Sequence, residues 1–82
     1  MSITAKQSRI LKKMRDEDEE LVFERGVGYC GDERVGSHLV MGLLRLMAVR
    51  MDSYSTVGGV ERYTIGELGR ALLEAAEKGG KG

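Results

Sequence analysis

The sequence predicts an α+β domain in the order helix, strand, helix, β-hairpin, helix. Three observations carry this. Apolar residues recur at helical spacing over residues 3–14, 39–47 and 65–76. Short β-prone runs, Leu21-Val22-Phe23 and Val60-Glu61-Arg62-Tyr63-Thr64, separate them. Gly58-Gly59 stands where a hairpin would reverse.

The first helix is expected to begin at Thr4, because Thr4-Ala5-Lys6-Gln7 has the form of a capping box, in which a hydroxyl and an amide satisfy free backbone N–H groups. Ile3, Gln7, Ile10, Leu11 and Met14 fall on one side of it, and Lys6, Arg9 and Lys13 on the neighbouring side. Five consecutive acids, Asp16–Glu20, then oppose the negative end of the helix dipole and predict its end there. A strand is expected over Glu20–Arg25. Val27–Cys30 reads as either a short return strand or an extended loop, punctuated by Gly26, Gly28 and Gly31.

A core helix starting between Asp32 and Ser37 follows. Leu39, Val40, Leu43, Leu44, Leu46 and Met47 occupy an arc of roughly 160° on its wheel. Its opposite face carries Arg34, His38, Met41 and Arg45, which stack into one stripe if the helix reaches back to Arg34. Val49–Tyr54 and Val60–Thr64 form the hairpin. The second strand leads into a second capping box, Thr64-Ile65-Gly66-Glu67, and a last helix that buries Ile65, Leu68, Leu72, Ala75 and Ala76. Leu73 lies off that arc, as Met41 lies off the arc of the core helix. The chain reads as a single domain over residues 1–82, with an ordered core at about 4–77 and a flexible tail at 78–82.

Bulk composition narrows the functional classes. Eighty-two residues allow one small core and little spare stability. Cys30 is the only cysteine, so no internal disulfide is possible, and a cytoplasmic protein is expected. One histidine and one cysteine predict no metal site, and no apolar run reaches the ~20 residues of a membrane span. Without a disulfide or metal, self-association as a homodimer is expected, with Met41 and Leu73 as candidate contacts. Thirteen basic residues balance thirteen acidic ones, which counts against strong non-specific DNA binding without excluding a local basic face.

Two stretches carry a family likeness. Leu39 to Met51 is a core helix passing directly into a strand, and Val60-Glu-Arg-Tyr-Thr-Ile-Gly-Glu-Leu-Gly-Arg-Ala-Leu-Leu73 looks like a wing's return strand and following helix. Together they resemble the winged helix-turn-helix family, most closely the short forms found among phage and prophage proteins. The resemblance spans roughly residues 4–77. Such domains usually have a complete second helix where this chain has its glycine-rich segment, so the fold implied is a reduced winged helix, α-β-α-β-β-α.

The resemblance implies a small non-enzymatic module that binds double-stranded DNA, in the manner of a phage-type transcriptional regulator. Arg34, Ser37, His38, Met41 and Arg45 would form the reading stripe, where arginine can meet phosphates or guanine edges. Lys6, Arg9 and Lys13 could grip phosphate, and Arg62 could extend the contact from the wing. The alternative is a protein-interaction module on the same scaffold without DNA binding, favoured by zero net charge and the acidic run. No enzyme or cofactor is expected. His38 has no evident acid or nucleophile partner, Cys30 has no activating base, and no Gly-Lys-Ser/Thr follows the glycines at 26–31.

Overall fold

The computed structural model describes residues 3–79. Its elements are α1 (Ala5–Asp16), β1 (Leu21–Glu24), β2 (Val27–Cys30), β3 (Glu33–Val35), α2 (Ser37–Arg45), β4 (Val49–Ser55), β5 (Val60–Ile65) and α3 (Glu67–Gly79). The five strands form one antiparallel sheet in the order β3-β2-β1-β5-β4. Among the described residues the architecture is therefore α+β, with three helices and one sheet. The predicted strand order is corrected: two strands, β2 and β3, stand between β1 and the core helix.

Two tight turns explain those strands. Arg25 and Gly26 both have positive φ, 54° and 78°, which matches the twist of a two-residue hairpin joining Glu24 to Val27. Gly31, at φ 65°, opens a second two-residue turn, so that Cys30 pairs with Glu33. The open choice at Val27–Cys30 thus resolves as a strand, and Glu33–Val35 becomes an edge strand.

α1 forms as its sequence dictates. Gln7 N–H donates to Thr4 Oγ1 at 3.1 Å, and Thr4 N–H donates to Gln7 Oε1 at 2.9 Å. Ile10, Leu11 and Met14 are its buried residues. At the far end Arg15 donates from both terminal nitrogens to the Glu77 carboxylate, each at 2.9 Å, which ties the end of α1 to the end of α3. Hydrogen bonds from Arg15 hold the Glu77 and Asp16 carboxyls below their usual pKa.

Leu21, Cys30, Val35, Val49 and Tyr63 share one face of the sheet by register, and α1 and α2 pack on that face. Val40 and Leu43 from α2 and Leu73 from α3 complete the core. Each such large aliphatic stabilises the fold by roughly 1.5–3 kcal/mol on burial. Gly28 lets α2 approach: a Cβ there would lie 2.9 Å from both the Val35 carbonyl oxygen and a Val40 methyl. Burial leaves the Cys30 thiol without an ionising environment and pushes its pKa up to about 11.

Three further expectations are corrected. First, α2 begins at Ser37, the late limit of its expected start, so it does not reach back to Arg34, and it ends at Arg45. Its C-terminus is closed by Met47 N–H to the Leu44 carbonyl and Ala48 N–H to the Leu43 carbonyl, each at 3.0 Å. This places Met47 in the left-handed region, φ 58°, with its side chain 72% exposed and off the apolar arc. Second, Thr64 and Ile65 stay in β5, where Thr64 pairs with Arg50, so the second capping box is not made. Third, α3 is rotated relative to its predicted face. Leu73 and Gly69 are buried, while Leu68 is 44% exposed and Ala75 is also exposed. The cause is close docking: an ideal Cβ on Gly69 would lie 2.1 Å from the Ala48 carbonyl oxygen. α3 runs to Gly79, past the predicted end at 77, and the rest of the predicted tail, 80–82, lies outside the described residues.

Candidate nucleic-acid interface

The predicted Arg34–Arg45 stripe is split by the strand β3. Arg34 pairs with Tyr29, which pairs with Val22, which in turn pairs with Arg62. Register therefore puts Arg34 on the sheet face turned away from the helices. Ser37, His38, Met41 and Arg45 remain together as the exposed side of α2. Their spacing, one turn of helix apart, stacks Ser37 beneath Met41 and Arg45 with His38 beside them.

A shallow groove reunites part of the set. It runs between the first turns of α1, the edge strand β3 and the start of α2, and Lys6, Arg9, Arg34 and His38 all line it. Arg34 borders it through β3, the edge strand of the sheet, with its side chain on the opposite face by register. Gly36 caps α2 through its backbone alone, with no side-chain hydrogen bond. Its carbonyl accepts from Leu39 N–H and Val40 N–H, so the N–H groups of Ser37 and His38 are left pointing out of the helix start. Cations around a free helix N-terminus favour an anionic group there.

Other predicted cations are already engaged by acids. Arg9 forms an ion pair with Glu33, whose side chain is three-quarters covered. Lys13 lies 3.5 Å from Asp32 and 4.0 Å from Glu33. Burial works against the Lys13 ammonium, but Asp32, Glu17 and Glu33 outweigh it and raise its pKa. Arg62 meets Glu20 at 3.5 Å at the other end of the sheet and does not join the groove. Among the described residues Lys6, Arg34 and Arg45 form no ion pair.

Of the two predicted dimer contacts, Leu73 is fully buried inside the chain and is withdrawn, whereas Met41 is 52% exposed. Sequence reasoning missed Glu33. The Asp32-Glu33 pair looks generic in the sequence, and only the strand assignment places Glu33 beside Cys30, beneath α1. The turn signal at Gly31-Asp32, which reverses the chain directly before Glu33, was what the sequence offered.

Among the described residues, no three His, Cys, Asp or Glu side chains gather in a way that could hold a metal ion, and no helix is long and apolar enough to cross a membrane. Comparison with known protein families, curated proteins and solved structures gives no match to this chain.

Proposed function

We propose that the chain is a small non-enzymatic nucleic-acid-binding module that engages double-stranded DNA through α2 and the groove at its N-terminus. The observation that carries this reading is the groove at the free start of α2, bordered by Lys6, Arg34 and His38 from three different elements. A phosphate in the groove would meet two unpaired cations and the helix N–H groups, while Ser37, Met41 and Arg45 would face the bases beyond it. Support for the winged-helix interpretation comes from α2 leading through a tight turn into β4, and from β5 joining β4 to β1. In this reading the β2–β3 hairpin stands where the family has its second helix. A regulator of the phage type is the role this architecture suggests.

The number of cations is small, so affinity should be modest and strongly dependent on salt. We expect binding to a mixed-sequence duplex, followed by fluorescence anisotropy, to weaken with salt with a slope set by about three phosphate contacts. Lys6→Ala should reduce that slope by roughly one unit. A flat salt response, or no binding at low salt, contradicts the proposal.

A further inference from the structure

We infer that Glu33 is an intramolecular competitor for phosphate, holding Arg9 and Lys13 away from the nucleic acid and so limiting the affinity of the groove. The inference rests on the nucleic-acid reading above and concerns the same surface.

Three cations lie along one side of α1: Lys6, Arg9 and Lys13, each roughly one turn from the next. They differ in what they touch. Lys6 forms no ion pair among the described residues, whereas Arg9 and Lys13 both reach Glu33. Glu33 sits on the helix-facing side of β3, opposite Cys30 across the strand pair, and lines the groove together with Arg9, Lys6 and Arg34. Its carboxylate offers one oxygen to each cation: Oε2 to Arg9 and Oε1 to Lys13. Asp32, in the turn just before it, adds a second acid to Lys13.

The position is fixed by backbone, not by a floppy side chain. The two-residue turn at Gly31-Asp32 sets the register that brings Glu33 under α1. The Lys13 stem lies over Gly31, with its Cε 3.2 Å from where a Cβ would stand. A carboxylate bridging an arginine and a lysine has the negative charge and the paired acceptor oxygens of a bound phosphate. Any nucleic-acid phosphate reaching this side of α1 must therefore displace Glu33 or forgo two contacts. Glu33 is a specificity-determining residue in this sense: it confines phosphate contact to Lys6, Arg34 and α2.

The test is Glu33→Gln, which keeps the size and shape of the side chain while removing its charge and one of its two acceptor oxygens. Glu67→Gln, at the exposed start of α3, makes the same change in net charge away from the groove. Binding of all proteins to one mixed duplex is measured across a salt series, with circular dichroism verifying the fold. Glu33→Gln should bind at least ~10-fold more tightly at low salt and steepen the salt slope by up to about two units, as Arg9 and Lys13 become available. Arg9→Ala should change little in the wild-type background and should remove about half of the added slope in the Glu33→Gln background. Equal gains from Glu33→Gln and Glu67→Gln overturn the inference in favour of a general charge effect. Wild-type binding that Glu33→Gln leaves unchanged also overturns it, with the nucleic-acid reading intact. Binding by Glu33→Gln alone supports the inference and removes the DNA reading for the natural chain. Binding by neither protein overturns both.

Discussion

Gly69→Ala should destabilise the domain by roughly 3 kcal/mol, at the upper end of what overpacking costs. The added methyl would lie 2.1 Å from the Ala48 carbonyl oxygen and 2.9 Å from its carbon. Both are backbone atoms in the turn that closes α2, and the same carbonyl accepts from Gly66 N–H at 2.9 Å. α3 can escape the clash only by lifting off, which withdraws Leu73 from the core. Helix propensity alone predicts the opposite sign, a gain of about 1 kcal/mol for alanine over glycine. Urea unfolding of the two proteins separates these: a midpoint unchanged or raised in Gly69→Ala refutes the docking described here. A domain of this size has only about 5 kcal/mol in total, so the variant should be largely unfolded under mild denaturation.

Leu73→Ala is expected to cost about 2–5 kcal/mol, the range for a buried leucine that leaves a cavity. Leu73 is fully buried among the core residues, not placed at a surface where a second copy could meet it. Leu68→Ala, on the exposed side of the same helix, should stay within about 0.5 kcal/mol. Thermal unfolding of both variants is the check. A stable Leu73→Ala whose only change is a shift in oligomeric state would restore Leu73 as an intermolecular contact.

These two residues also show why the last helix was misread in sequence. A hydrophobic wheel gives weight to Leu68, Ala75 and Ala76 and none to glycine. Yet Gly69 makes the tightest approach of any glycine among the described residues, and the helix turns to suit it. Close backbone packing leaves no apolar signal. By contrast, the first helix was legible, its start to the residue and its end to within the acidic run, because its capping box and its acidic terminus are local and act within one turn. The hairpin β4–β5 was legible for the same reason.

The segment between α1 and α2 was only half legible. Arg25-Gly26 and Gly31-Asp32 are hairpin signals, but a three-residue strand such as Glu33–Val35 is too short for alternation to stand out. Missing it had one consequence for the site. The Arg34 stripe depended on a helix extending to Arg34, and an edge strand there turns the side chain to the sheet's far face instead, leaving the residue only bordering the groove. Helical spacing alone placed Lys6, Ser37, His38, Met41 and Arg45 on exposed faces, and they are exposed in the fold. Which cations are free was not readable, since the pairing of Arg9 and Lys13 with Glu33 requires the tertiary contact between α1 and β3.

The central claim, that the start of α2 and its groove are where nucleic acid binds, is tested most directly by mapping the contact. Backbone amide resonances of the labelled protein would be followed while a mixed-sequence duplex is added at low salt. The predicted result is a set of shifts at Lys6, Arg34, Ser37, His38, Met41 and Arg45, with Arg62 and the hairpin tip near Val57 undisturbed. Shifts confined to Met47, Met51 and Leu68, the exposed apolar residues beyond the other end of α2, would contradict it, as would a spectrum that does not change.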